Sequence, residues 1–254
     1  AAVLSADMQT TEKVVINVEE CQEMGVPISK PDVNRGDFRF VADTDKSIIY
    51  GLGAIKGLGE GPVEALVEGR NQGGPFTDLY DLCERVDARK VNKRAIEALI
   101  GSGALDDIAS FEGQSEAQQG IDYRRALLMA NHEDAVRVAE QIARNLDGGL
   151  SDLFGEGLMT SEAESCRYNH FQGLRRIPFK ERLRREKETL GLYLTGHPID
   201  LYRSELKHIS KSRIRDLRVS NDELTIVGLI VAMRTMRTRT NDLIAFVTLD
   251  DGTG

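Results

Sequence analysis

The feature that most restricts the fold of this chain is a pair of glycines directly ahead of an amphipathic helix. Gly57-Leu58-Gly59 precedes Gly61-Pro62 and then apolar residues at helical spacing. Glycine permits positive φ angles and close approach of a second backbone, and the N-terminus of the following helix presents unpaired N–H groups to an anion. The stretch predicts a helix-hairpin-helix turn, which holds nucleic-acid phosphates without reading bases.

The same residues are also open to a simpler interpretation as a structural turn, because Gly-x-Gly is common before helices. No third glycine follows at the spacing of a dinucleotide-binding loop, and no Gly-Lys-Ser/Thr step follows either. A Rossmann fingerprint and a Walker loop are therefore excluded at this position.

A second helix-turn-helix favours the nucleic-acid interpretation. Residues 79–86 and 93–100 have helical patterns, and a basic turn joins them. Asn92 is placed to cap the second of these helices. Cations at the N-terminal end of that helix oppose its dipole and favour an external anion. Two tandem hairpins, one with a glycine hinge and one basic, are much more specific than either alone.

The charge of the chain is segregated. The formal net charge is −8, which is atypical of a nucleic-acid binder. Between Arg167 and Arg218, however, 14 basic residues face six acidic ones, a local charge of +8. Such a stretch is typical of nucleic-acid binding, and a solvated helical face with internal ion pairs is the alternative. Trp is absent and aromatic residues make up 6%, so base stacking is not expected to dominate.

Composition also excludes several classes of protein. No apolar run is long enough to span a membrane, and no secretory signal is present, so no membrane partner is expected. Cys21, Cys83 and Cys166 lie far apart and are predicted to be free buried thiols of a cytosolic protein. Asp43 and Asp45 form an Asp-x-Asp pair, but at the tip of a predicted hairpin they are interpreted as turn residues rather than metal ligands.

The order of elements predicts a mainly α fold. A small α+β segment comes first, with a helix that ends at Gly25 and strands near residues 38–41 and 47–50. Long helical patterns cover residues 121–147 and 179–195. Alternating patterns then predict strands at 224–234 and 243–250, which resemble the opening of a five-stranded OB-fold barrel and predict a truncated β C-terminus. The chain begins without Met and ends just after a strand, so we expect a fragment of a larger protein.

A glycine-flanked acidic loop covers residues 147–165 and contains Leu153 and Phe154 side by side. Two large apolar residues in a loop need a pocket. They either fold back on their own domain or dock into a groove on a partner.

Four segments in one order make the chain resemble the family of bacterial DNA polymerase III alpha subunits, replicative polymerases of the C family. The segments are residues 4–8, 31–34, 50–62 and 188–198. The resemblance implies four parts: residues 1–50 as the end of the fingers, 51–110 as tandem helix-hairpin-helices that hold duplex DNA, 111–211 as a helical clamp-binding region, and 212–254 as the start of an incomplete OB domain near the single-stranded template.

The resemblance also implies an activity and partners. The parent would be a cytoplasmic bacterial DNA-directed DNA polymerase that uses two Mg²⁺ ions. Its palm carboxylates are absent from this chain, which is therefore expected to be inactive alone and without a cofactor. The implied partners are double-stranded DNA, single-stranded template, a sliding clamp and other replicase subunits. A non-catalytic DNA-repair or scaffold module and an error-prone polymerase paralogue are the alternatives.

The candidate site residues fall into three groups, and none is assigned to catalysis or to a metal. The clamp motif usually opens with Gln, where this chain has Leu150, so a weaker clamp contact is expected. The duplex candidates are Lys56, Gly57, Gly59, Gly61, Lys90, Lys93 and Arg94; the template candidates are Arg234, Arg237 and Arg239; the clamp candidates are Leu150, Ser151, Asp152, Leu153 and Phe154.

Overall fold

The computed structural model describes residues 1–43, 46–108, 120–147, 173–210 and 212–253. These residues are mainly helical with a few short strands, which confirms the predicted fold class. They form two compact units, Ala1–Leu194 and Thr195–Gly254. The predicted boundary at residues 211 and 212 lies inside the second of these units.

Seven α-helices of the first unit are described. Two short 3₁₀ helices, Leu52–Ala54 and Asp106–Ile108, lie between them. The α-helices are α1 (Ala2–Asp7), α2 (Thr11–Glu23), α3 (Glu60–Gly73), α4 (Leu79–Arg85), α5 (Lys93–Ser102), α6 (Ile121–Asp147) and α7 (Phe179–Leu190).

A three-stranded sheet lies between α2 and α3 in the chain. Its strands are β1 (Ile28–Ser29), β2 (Val41–Ala42) and β3 (Ile48–Ile49). The order is β1-β3-β2, with β1 parallel and β2 antiparallel to β3. The hairpin predicted near Asp43 is thus present as β2 and β3, in strands shorter than expected.

Glycines end several helices where the sequence predicts them, and one where it does not. Gly25 follows α2 with φ +72°, and Gly103 follows α5 with φ +85°, both in the left-handed region that glycine adopts without strain. The prediction that one helix spans residues 179–195 is wrong at its C-terminal end. Helix α7 stops at Leu190 because Gly191 has φ +81°. The apolar residues after Gly191 continue the helical pattern without continuing the helix.

The core of the first unit lies between the hairpin helices and α6. Helix α6 packs against both α4 and α5, and α7 packs against α5. Apolar side chains from these helices and from the 3₁₀ segments are completely buried: Leu52, Leu66, Leu79, Leu82, Leu99, Leu105, Leu127, Leu183 and Leu190. The burial of these side chains provides the main driving force for holding the two hairpins on α6.

The second unit contains a two-stranded antiparallel ribbon. Helix α8 (Arg203–Leu206) lies between two 3₁₀ segments, and β4 (Leu229–Arg237) pairs with β5 (Leu243–Asp250). The predicted strand at 224–234 is displaced toward the C-terminus. It begins after Gly228, where a Cβ atom would lie 3.1 Å from the backbone oxygen of Asp250. That close approach favours glycine.

Candidate nucleic-acid interface

The first hairpin consists of the 3₁₀ helix Leu52–Ala54, a glycine turn and α3. Ile55 and Leu58 bury their side chains on either side of the turn, whereas Lys56 is exposed to solvent. Gly57 has φ +86°, so this position requires glycine. The N–H of Lys56 donates to the carbonyl of Thr189 at 2.8 Å, which ties the turn to α7.

The N-terminus of α3 leaves backbone donors available to a ligand. Within the described part of the chain, the N–H groups of Gly59, Glu60 and Gly61 have no acceptor. A Cβ atom at Gly61 would meet nothing within 4 Å, so the approach to these donors is open. Adjacent free N–H groups at a helix N-terminus favour an anion, whereas the Glu60 carboxylate in the same turn disfavours one.

The second hairpin joins α4 to α5 through a tight basic turn. The N–H groups of Lys90 and Val91 both donate to the carbonyl of Asp87 at 2.9 Å, and the Val91 side chain is buried. The predicted cap of α5 is present, because Asn92 Oδ1 accepts from the N–H of Ala95 at 3.1 Å. Asp78 caps α4 in the same way, through the N–H of Asp81 at 2.8 Å.

The two hairpins meet at α5, the second helix of the second hairpin. A Cβ atom at Gly57 would lie 3.9 Å from Cβ of Ala98, so the first turn rests on α5 at that residue. Arg94 lies four residues earlier in α5 and therefore on the same face as Ala98. The fold thus brings Lys56 and Arg94, which are distant in sequence, to one side of the helix.

The candidate cations of the hairpins differ in what their side chains contact. Lys56, Lys90 and Arg94 are exposed, and within the described residues none of their side chains makes a hydrogen bond or an ion pair. Lys93 differs, because its Nζ lies 2.5 Å from a carboxylate oxygen of Glu133 on α6. Sequence reasoning missed Glu133, and nothing in the local sequence could have linked two residues separated by 40 positions.

Part of the predicted basic stretch, the arginines of α7, is paired with acidic residues of the chain. On α7, Glu181 lies 2.7 Å from Arg184 and 2.9 Å from Arg185. Hydrogen bonds from Arg184 lower the pKa of Glu181 to about 2. Arg182 pairs with Asp122 on α6 at 3.1 Å. The alternative of internal ion pairs therefore describes α7 better than an open cationic surface does.

The three template candidates do not share a face of the β4–β5 ribbon. Arg234 pairs with Phe246 across the strands, and Arg237 pairs with Leu243. Side chains three positions apart in a regular strand point to opposite faces, so Arg234 and Arg237 diverge. Arg237 instead donates to Asn241 Oδ1 at 2.8 Å within the turn that also contains Arg239. The sequence could have predicted this divergence, because residues separated by an odd number of positions in a strand lie on opposite faces.

Several predicted residues lie outside the described part of the chain. The clamp candidates Leu150, Ser151, Asp152, Leu153 and Phe154 all do, as do Asp45 and Cys166.

Asp43 pairs with Arg35 and accepts from the Ser47 hydroxyl at 3.5 Å. Cys21 and Cys83 are free and buried, and burial raises the pKa of the Cys83 thiol to about 12.

Neither a metal-ion cluster nor a membrane-spanning helix occurs in the described part of the chain. Among these residues, no three His, Cys, Asp or Glu side chains lie close enough together to hold a metal ion. None of the described helices combines the length and hydrophobicity needed to cross a bilayer.

The relatives of the chain agree with this geometry. Residues 25–116, which contain both turns, match the helix-hairpin-helix motif family, so the chain carries a helix-hairpin-helix region. Over its full length the chain is also similar to DNA polymerase III subunit alpha, which confirms the resemblance seen in the sequence. It is 50% identical to the Pseudomonas aeruginosa protein, 44% to the Vibrio cholerae protein and 42% to the Escherichia coli K12 protein. The chain spans 21–22% of the length of these relatives.

Proposed function

We propose that this chain is the DNA-binding and clamp-tethering part of a bacterial replicative DNA polymerase. One observation carries the proposal: the first hairpin turn, with free N–H groups and exposed Lys56, rests on the face of α5 that also carries the exposed Arg94 of the second hairpin. Similarity to DNA polymerase III alpha subunits over the whole chain, and not over the hairpins alone, favours a polymerase over a separate DNA-repair or scaffold module.

Duplex binding would take place through the phosphates. The N–H groups of Gly59 and Gly61, together with Lys56, would contact one strand, and Lys90, Lys93 and Arg94 would contact the other. Such contacts position DNA without reading its sequence, and they weaken as salt rises because counterions are released on binding.

The chemistry of the parent polymerase would lie outside this chain. Template-directed nucleotidyl transfer with Mg²⁺ needs clustered carboxylates. The resemblance implies that these carboxylates belong to a palm region that this chain does not contain. The chain alone is expected to bind DNA without extending it, in the bacterial cytoplasm where the chromosome is copied.

Two further partners belong to the proposal. Residues 150–154 would bind a sliding clamp through Leu153 and Phe154, more weakly than a motif that opens with Gln. The β4–β5 ribbon would contact single-stranded template through the face that carries Arg234 and Phe246, since an arginine beside an aromatic ring suits a stacked base.

Fluorescence anisotropy with a labelled duplex tests the central claim. Lys56→Gln combined with Arg94→Gln should lower the affinity and reduce the slope of log K against log salt by about two, one for each phosphate that is no longer neutralised. Lys13→Gln combined with Arg144→Gln removes the same charge outside the hairpins and should change the affinity much less. Equally weakened binding by the two double variants would contradict the hairpin assignment.

A further inference from the structure

Of the three residues of the second hairpin proposed to bind duplex DNA, only Lys93 forms an ion pair within the described part of the chain. Its Nζ lies 2.5 Å from Glu133 Oε1 and 4.0 Å from Glu97 Oε1. Lys93 is the first residue of α5, whereas Glu133 lies within α6, so the two side chains meet only because the helices pack together. The ammonium group that would meet a phosphate therefore has an internal anionic partner.

Of the two carboxylates near Lys93, that of Glu97 is the more distant, and it also lies beside His132. His132 Nε2 lies 3.2 Å from Glu97 Oε1, and His132 Nδ1 lies 2.8 Å from the carbonyl oxygen of Met129. A carbonyl only accepts, so Nδ1 is the nitrogen that donates to Met129. The much shorter distance makes Glu133 the principal partner of Lys93.

The Lys93–Glu133 pair is weak enough for DNA to open. The two side chains are 50% and 68% exposed. The pair raises the pKa of Lys93 and lowers the pKa of Glu133, the directions expected for mutual stabilisation of both charges. Solvent screens such pairs, so a phosphate with a full charge can displace the carboxylate.

We propose that Glu133 is an internal competitor that occupies Lys93 in place of a DNA phosphate and so weakens the hold of the second hairpin on duplex. The inference rests on the proposed function. Because a phosphate that binds Lys93 must first displace Glu133, release of the duplex is easier than it would be from a free lysine. A protein that must move along DNA benefits from an interaction that reopens readily.

Duplex binding by the full 254-residue chain at low salt tests the proposal. Glu133→Gln should tighten binding about two- to fivefold, the range expected when an exposed ion pair is removed, and should steepen the salt dependence. Glu140→Gln is the matched control, because Glu140 is also exposed on α6 and has no ion pair among the described residues. The control should change the affinity less.

A double-mutant cycle separates direct competition from a general charge effect. In a Lys93→Gln background, Glu133→Gln should lose most of its effect, because no ammonium remains to be freed. If Glu133→Gln raises the affinity for duplex equally with and without Lys93, or does not raise it at all, the proposed competition is wrong. If the unmodified chain fails to bind duplex at low salt, the proposed function fails together with the inference. Binding that Lys93→Gln weakens and Glu133→Gln leaves unchanged overturns the inference alone.

Discussion

Arg125 and Asp106 form a buried bidentate ion pair in which the Arg125 Nε and Nη2 atoms each lie 2.9 Å from a carboxylate oxygen. Both side chains are 1% exposed. Arg125 Nη1 also donates to Glu186 Oε1 at 2.8 Å, and the second oxygen of Glu186 accepts from the N–H of Leu194. Arg125, Asp106 and Glu186 therefore join α6 and α7 to the segment after α5, the helix on which the first hairpin turn rests.

Replacing Arg125 should destabilise the first unit strongly. Arg125→Met removes a buried guanidinium from two buried carboxylates, those of Asp106 and Glu186, and loss of one partner from a buried ion pair costs about 3–5 kcal/mol. Urea denaturation measures this change. Arg137→Met on the same helix breaks an exposed pair with Asp134 and should cost less than about 1 kcal/mol. Similar costs for the two variants would mean that Arg125 is not structurally important.

Gly57 and Gly61 should respond oppositely to alanine. Gly57→Ala places a side chain at φ +86° and should destabilise the chain by roughly 1–2 kcal/mol. At Gly61, inside α3, a Cβ atom would have no neighbour within 4 Å. Because alanine favours a helix more than glycine does, Gly61→Ala should be neutral or stabilising by up to about 1 kcal/mol. Thermal unfolding of the two variants provides the comparison, and a stable Gly57→Ala chain would contradict the requirement for glycine in the turn.

Asn92 allows stability and DNA binding to be separated. Asn92→Ala removes the cap of α5 and should cost about 1 kcal/mol. Asn92→Asp keeps the cap but sets a negative charge beside the N-terminus of α5. It should keep the stability within about 0.5 kcal/mol. It should weaken duplex binding about fivefold, because the new carboxylate repels a nearby phosphate. Two unit charges of like sign about 4 Å apart in water repel by ~1 kcal/mol. Denaturation and anisotropy on one preparation test both effects, and unaltered binding by Asn92→Asp would place the phosphates elsewhere.

The Glu181 cluster predicts a pH dependence with a definite sign. The folded-state pKa of Glu181 is lowered from 4.5 to about 2. Its contribution is therefore present above the unfolded value and is lost as pH falls from 4.5 toward about 2. Because the carboxylate is partly exposed, the contribution should stay below about 1 kcal/mol. Glu181→Gln should be less stable than the unmodified chain near neutral pH, and this difference should vanish in acid. A difference independent of pH would contradict the assignment.

The ribbon of the second unit should bind single strands through one face. Arg234→Ala and Phe246→Leu alter neighbouring positions on that face and should each weaken binding to a labelled oligothymidine by about 1 kcal/mol or more. Arg237→Ala, on the other face and bonded within the turn, should have a smaller effect. If Arg237→Ala weakens binding as much as Arg234→Ala, both faces contact the strand.

Features carried by neighbouring residues could be predicted from the sequence. The caps at Asp78 and Asn92, the glycine stops at Gly25 and Gly103, and the helix after Gly59 are all present in the structure. Each depends on a backbone conformation or hydrogen bond that spans a few positions. Where two local signals compete, as after Leu190, the apolar pattern predicts a longer helix than the one that forms.

Local sequence was sufficient to predict the two hairpins, their basic residues and the family resemblance, because turns and caps follow from short-range sterics and hydrogen bonds. Which cations are free to contact DNA, in contrast, depends on how the helices pack. Packing of α5 against α6 gives Lys93 a carboxylate from Glu133, and Arg125 meets Asp106 and Glu186 only when three segments are buried together. Charges distant in the chain meet because the apolar core holds their helices together, and a one-dimensional pattern does not contain that proximity.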